Sequence, residues 1–157
     1  MNKLNFIWVV LAAFVFGQNL NAQSAKEELE LYQSVFGMEK KVIVAEFLKL
    51  KSDDAFWTIY DEYETERKAL GKKRVDVLNE YAENYDALNN EKYDEIIANM
   101  ISLRKSTDKL VDTYYKKIKK ASGSKVAAQF FQLEAYFVSA IRLTIMEGIP
   151  YIGEFDK

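Results

Sequence analysis

The sequence predicts an all-α fold, an elongated antiparallel helical bundle or set of long α-hairpins with three to four helices. Three observations indicate this fold. Apolar residues recur at three- and four-residue steps over long stretches, which is the spacing of one helix face. The 157-residue chain holds a single proline, Pro150, so these stretches are not interrupted. No segment shows the strict alternation of a half-buried strand.

The longest predicted helix, Ser52 to Leu88, is the element around which the rest of the chain is organised. Ser52 is a suitable N-cap, and the two aspartates after it lie at the positive end of the helix dipole. At 1.5 Å per residue this helix would be roughly 50 Å long, so other segments must cover its apolar stripe. Gly71 weakens its interior and allows a bend there. The stripe consists of Phe56, Tyr60, Tyr63, Leu70, Val77, Tyr81 and Leu88.

Turn residues divide the rest of the chain into further helices. Asparagines 89 and 90, the turn at 122–124 and the Gly148 and Pro150 pair are typical helix boundaries, and Gly37 allows one more break. The predicted helices cover residues 25–50, 53–88, 91–120 and 124–147. The last of them is apolar on most of its circumference, which indicates packing on several sides.

The first 22 residues have the layout of a secretory signal peptide. A short basic start precedes a mostly apolar run from Leu4 to Gly17, and polar residues then lead to the small residue Ala22. A spanning helix needs about 20 apolar residues, so a cleaved signal is favoured over an uncleaved anchor. We therefore expect a periplasmic or secreted protein that starts at Gln23, has no stable membrane insertion and forms a single helical domain over residues 23–157.

Composition excludes several functional classes. With 22 basic and 24 acidic residues, the net charge is −2, which argues against a nucleic-acid partner. The chain has no histidine and no cysteine, so the commonest general base, metal ligand and thiol nucleophile are all missing. It also has no glycine-rich phosphate loop. We expect no catalytic, cofactor-binding or metal-binding residues, and hence no enzyme and no cofactor.

Aromatic residues are unusually frequent for so small a helical domain. After residue 22 the sequence holds one tryptophan, ten tyrosines and seven phenylalanines. Most of them are expected in the core, but some helical tyrosines with adaptable methionines nearby would line a groove for another apolar chain. The candidate partner-binding residues are Tyr81, Tyr85, Tyr114 and Met100.

Charged residues on apolar faces predict a structural ion pair. Arg67 and Arg74 lie on the apolar stripe of the long helix, and Glu134 lies among apolar residues of the last one. A carboxylate in such surroundings needs a partner, and an arginine has suitable donors. We therefore expect Glu134 to meet Arg67 or Arg74. Two alternatives stay open, because Glu134 could reach solvent and the arginine heads could reach water.

Four lysines close the third predicted helix: Lys116, Lys117, Lys119 and Lys120. Cations are favoured at the negative end of a helix dipole, so a solvated last turn explains them. The alternative is a patch for an anionic surface.

Two segments carry a resemblance to small exported bacterial envelope proteins. Residues 48–54, followed by the helix start F-W-T-I-Y-D-E-Y-E at 56–64, resemble their leucine-rich run and capped helix. Residues 128–134 with Ile149 and Pro150 resemble the end of the same group. This group is similar to the Spy and CpxP periplasmic proteins. The L-T-x-x-Q signature of the Spy group is not intact, since Lys51 follows Leu50 and Asp54 stands in place of glutamine.

The resemblance implies a helical cradle that acts as an ATP-independent chaperone or envelope-stress accessory for apolar protein segments. The alternative is a non-catalytic helical protein with one specific envelope partner, for example a sensor associated with a sigma factor. Both interpretations imply a protein partner, and a homodimer is left open.

Overall fold

The structure is a computed structural model that describes residues 36–152, except for the side chain of Asp86. The described residues form helices and contain no strand, which confirms the all-α prediction. Helix α1 occupies 36–48, α2 is Ala55–Asn84, and α3 is Asn90–Gly148. One turn of 3₁₀ helix, Tyr85–Ala87, follows α2. The predicted signal peptide lies outside the described residues.

Two compact units make up the chain. The described residues 36–47 and 133–152 belong to unit 1, and Leu48–Gln132 is unit 2. Unit 1 therefore combines most of α1 with the last part of α3, whereas unit 2 contains α2 and the rest of α3. The folding of residues 23–157 as one domain stays a prediction.

Helix α2 begins two residues later than predicted. Its N-cap is Asp54, in an extended conformation, and not Ser52. The Asp54 carboxylate accepts a hydrogen bond of 2.8 Å from the backbone N–H of Phe56, while the Asp54 N–H donates to the carbonyl of Lys51. Residues 52 and 53 form the turn that this second bond closes, so Ser52 cannot reach the first helical N–H groups. Lys49, at φ 52°, lies in the left-handed region where α1 has ended.

An antiparallel hairpin of α2 and the first part of α3 forms most of unit 2. The partners run in opposite directions: Glu80 pairs with Lys92 at one end, and Glu62 pairs with Lys117 towards the other. Helix α2 continues through Gly71 without a break. At the connection, the Asn89 side chain accepts from the N–H of Lys92 and caps α3, as the asparagine pair predicts.

Gly123 breaks α3 into two arms. Its φ of 88° and ψ of 168° are not helical, and only glycine adopts this region readily. We name residues 90–122 arm α3N and residues 124–148 arm α3C. The rings of Tyr115 and Phe131, eight residues before and after Gly123, lie 6.0 Å apart, so the chain reverses there. This break confirms the predicted turn at 122–124.

Aromatic rings form the core of unit 2. The Phe130 ring from α3C lies within 6.5 Å of the rings of Phe56, Tyr60 and Tyr63 on α2. Tyr63 also contacts Tyr114 of α3N at 5.4 Å in a T-shaped arrangement. All five side chains are buried. The stripe predicted on the long helix therefore meets both arms of α3 in its first half, and edge-to-face ring contacts add to the burial of apolar area.

Candidate functional site

Within unit 1, a buried ion pair joins α1 to α3C. The Nζ of Lys40 on α1 lies 2.7 Å from Oε2 of Glu134 on α3C, and each side chain is only 1% exposed. The same ammonium lies 5.3 Å from the centre of the Phe137 ring. Two apolar residues close to the pair in sequence are also buried: Val44, four residues after Lys40, and Phe137, three residues after Glu134. A buried charge without its partner is strongly unfavourable, so the pair fixes the register of α1 on α3C.

Lys40 was not predicted as a partner of Glu134. The signal is present in the sequence, because Lys40, Val44 and Leu48 follow each other at four-residue steps and all three are buried. A lysine on an apolar stripe of this kind predicts a buried partner. The burial predicted for Glu134 is confirmed, and its alternative position in solvent is wrong. Pairing of Glu134 with Arg67 or Arg74 would join the two units, and it stays a prediction.

Within unit 2 the two arginines have partners of their own. Arg67 donates from Nε to both carboxylate oxygens of Glu64, at 2.9 and 3.0 Å, and both side chains are largely buried. Arg74 donates from Nη2 to the hydroxyl of Thr107 at 3.3 Å, across the hairpin. The Thr107 hydroxyl in turn donates to the carbonyl of Leu103. Both guanidinium groups therefore have hydrogen-bond partners within unit 2. The alternative that the guanidinium group reaches water does not hold for Arg67, which is largely buried.

The four candidate partner-binding residues lie in unit 2 but do not form one surface. Tyr81 and Tyr114 are buried, at 4% and 1% exposure, so their rings offer no surface to another chain in this structure. Tyr85 and Met100 are half-buried. The Tyr85 ring packs edge-on against Tyr81 at 5.6 Å. Partner binding through these residues stays a prediction, and only Tyr85 and Met100 are accessible enough for direct contact.

Tyr114 is instead part of a polar network along the hairpin. Its hydroxyl donates to the carboxylate of Glu66 at 2.7 Å, and the ammonium of Lys117 lies 4.2 Å from its ring centre. Burial, followed by the hydrogen bond to Glu66, raises the pKa of the Tyr114 phenol above its usual value of 10.0. The hydrogen bond with Tyr114 raises the pKa of Lys117, to which Glu62 also contributes. The phenol therefore stays protonated at neutral pH and acts as a donor.

A shallow groove of about 350 Å³ lies beside this network, between α2 and α3N. Its lining is mostly apolar, and its charged groups come from Glu66 on α2 and Lys109 on α3N. The remaining lining residues are Ala69, Leu70, Ser106, Leu110 and Thr113.

Unit 1 also carries exposed apolar side chains on its described helices. On α3C, Tyr136, Leu143 and Met146 are about half exposed, and they lie opposite the face that buries Glu134 and Phe137. We call these three residues the α3C outer face. On α1, Met38 and Val42 are also exposed, four residues apart and away from buried Lys40 and Val44. Both α1 and α3C therefore present exposed apolar side chains on the face opposite their buried residues. None of these residues was among the predicted partner-binding residues.

Metal sites and membrane spans are both absent from residues 36–152. The carboxylate side chains in this range form no group of three or more that would hold a metal ion. No helix within the same range is both long and apolar enough to span a membrane.

Comparison with family models, with curated proteins and with solved structures finds no match to this chain. The likeness to the Spy and CpxP group therefore stays a resemblance carried by the two segments described above.

Proposed function

We propose that this protein is an exported envelope protein that binds apolar segments of other proteins, as a Spy- or CpxP-like chaperone or stress-response accessory that uses no ATP. The observation that carries the proposal is the α3C outer face. Three large apolar side chains are exposed at helical spacing on one side of a single helix. Large apolar side chains exposed on one face of a helix are typical of protein-binding sites.

The chemistry of this face suits varied clients. Leu143 and Met146 supply apolar contacts, and methionine adapts to differently shaped partners because it is unbranched and flexible. Tyr136 combines an apolar ring with a hydroxyl that can remain in water. Below the face, the buried pair of Lys40 and Glu134 holds α3C in place. A fixed helix with an adaptable outer surface supports binding of extended or helical apolar segments.

The proposal is tested by aggregation of a denatured client enzyme diluted into buffer without nucleotide. We expect the wild type to slow aggregation, and the Leu143→Gln, Met146→Gln variant to need about tenfold or more protein for the same effect, because two apolar contacts are lost. The matched control is Ile97→Gln, Ile101→Gln, which removes two equally exposed apolar residues from unit 2.

An equal loss of protection in both variants would mean that nonspecific hydrophobic binding, and not the α3C outer face, protects the client. Unchanged protection by the Leu143→Gln, Met146→Gln variant would refute the site. Capture of one envelope protein in stoichiometric amount, with no protection of unrelated clients, would replace the chaperone proposal with the single-partner alternative.

A further inference from the structure

Five exposed lysines gather at one end of unit 2. Ser122 donates to the carboxylate of Asp54 at 2.8 Å, and the Asp54 N–H donates to the carbonyl of Lys51, so the start of α2 meets the Gly123 turn. Every one of these lysines lies within three residues of Lys51 or Ser122. At no more than about 3.6 Å per residue, their backbones are within roughly 11 Å of one of those two positions. The set, which we call the lysine apex, is Lys49, Lys51, Lys119, Lys120 and Lys125.

The lysine apex is not neutralised within the described part of the chain. None of its ammonium groups takes part in an ion pair among residues 36–152, whereas the neighbours Lys116 and Lys117 pair with Asp112 and Glu62. Two carboxylates lie within three residues of Lys51 or Ser122, and one of them, Asp54, is already engaged by the N–H of Phe56 and the hydroxyl of Ser122. Asp53 is exposed and supplies one opposing charge.

The other end of unit 2 has the opposite sign. The hairpin of α2 and α3N places the last turns of α2 beside the first turns of α3N, as the pair of Glu80 and Lys92 shows. We take residues 76–95 as this end. Among its described side chains there are one lysine and six carboxylates: Asp76, Glu80, Glu83, Glu91, Asp94 and Glu95. Helix α2 has 30 residues, so the two ends are about 45 Å apart.

We propose that the lysine apex docks this protein onto an anionic phospholipid surface. The side chains of the apex favour a charged surface over an acidic protein segment. The apex holds lysines and no arginine, and lysine is a point charge without the fork that selects individual carboxylates. The acidic end would also be repelled by the same surface, so unit 2 would approach with its apex first.

Docking of this kind is peripheral and electrostatic. Between Lys120 and Lys125 the residues are small, namely Ala121, Ser122, Gly123 and Ser124, so the side chains of this turn leave the two flanking ammonium groups accessible. Lysines near an anionic membrane each contribute an attraction that falls off within a Debye length, about 10 Å at 0.1 M salt. Binding should therefore weaken steeply as salt is added.

The test is co-sedimentation of the full protein, as recovered from its host, with lipid vesicles. One set of vesicles contains phosphatidylcholine alone, and the other also contains about one third phosphatidylglycerol. This anionic lipid gives the second set a strong negative surface charge. We expect binding to the anionic vesicles to exceed binding to the neutral ones. The Lys119→Gln, Lys120→Gln variant should bind the anionic vesicles about 20- to 30-fold more weakly. The neutral vesicles measure any contribution of apolar segments.

Lys72 and Lys73 provide the matched control. They are exposed, adjacent and about 27 Å along α2 from Asp54, beyond the reach of a surface that contacts the apex. The Lys72→Gln, Lys73→Gln variant should bind within about twofold of the wild type. Circular dichroism should show unchanged helix content in both variants.

Several results would overturn the proposal. Equal binding to neutral and anionic vesicles, equal loss in both double variants, or binding that salt does not weaken would each exclude docking through the apex. Apex-dependent binding of a polyglutamate peptide without vesicle binding would assign the apex to an acidic protein segment. Salt-sensitive self-association that needs the apex, again without vesicle binding, would assign it to the acidic end of a second copy.

Discussion

At the scale of single residues, breaking the buried pair of Lys40 and Glu134 is expected to lower the stability of the protein strongly. Lys40→Met keeps an apolar stem of similar length but removes the ammonium 2.7 Å from a carboxylate that is 1% exposed. We expect the free energy of unfolding to fall by about 3–5 kcal/mol, because a buried charge loses its counter-charge. The measurement is urea unfolding followed by circular dichroism.

Two controls separate burial from charge in this experiment. Lys40→Met with Glu134→Leu replaces the whole pair with apolar residues and should recover most of the lost stability. Lys116→Met breaks the exposed pair with Asp112, whose side chains are 69% and 55% exposed, and should change stability by less than about 1 kcal/mol. A small effect of Lys40→Met, no larger than that of Lys116→Met, would show that the buried pair does not fix the register of α1.

At the scale of secondary structure elements, Gly123 permits the reversal between α3N and α3C. An alanine there would meet no atom within 4 Å, so any penalty comes from the backbone at φ 88° and not from a clash. We expect Gly123→Ala to destabilise the protein by about 1–3 kcal/mol. Thermal or urea unfolding measures it, with Ser124→Ala at the next position as the control. Wild-type stability of Gly123→Ala would contradict the reversal seen in the structure.

The cap of α2 predicts a pH dependence of stability. Hydrogen bonds from the Phe56 N–H and then from Ser122 lower the pKa of Asp54 below its usual value of 3.8. Because the folded state has the lower pKa, this contribution is present above about pH 4 and is lost as pH falls through the folded pKa. Asp54→Asn retains a neutral cap. Its stability deficit relative to the wild type should therefore be largest near neutral pH and shrink as pH falls below about 4.

This deficit is measured as the difference between the urea midpoints of the two proteins at each pH. Asp53→Asn removes the exposed neighbouring carboxylate and is the control for the loss of one negative charge at this end of α2. A constant difference for Asp54→Asn across the pH range would mean that the Asp54 charge does not contribute to the cap.

At the scale of the whole molecule, we predict that the protein is exported and that its signal peptide is cleaved. The basic start, the apolar run from Leu4 to Gly17 and the small residue Ala22 indicate a cleaved signal. Mass spectrometry of protein recovered from its host should show Gln23 as the first residue. An intact Met1 in the membrane fraction would contradict this prediction, together with a periplasmic or secreted location.

Sequence patterns alone determined the helices and most of their boundaries, because periodicity, caps and turn residues act over a few neighbouring positions. The break at Gly123 and the cap at Asn89 follow from such local signals. The N-cap of α2 shows the limit of this reasoning. Ser52 and Asp54 are both good caps, and the turn closed onto Lys51 decided between them.

Only the tertiary structure decided which distant residues meet. Lys40 and Glu134 are 94 positions apart, and no local pattern pairs them. The burial of Tyr81 and Tyr114 likewise depends on how the helices pack and not on their own neighbours in sequence. The lysine apex combines residues from both sides of α2 in the chain, since Lys49 and Lys119 come together only where the Gly123 turn meets the Asp54 cap. Helix formation is local and readable from spacing, whereas helix packing brings distant residues together through the shapes of many side chains at once.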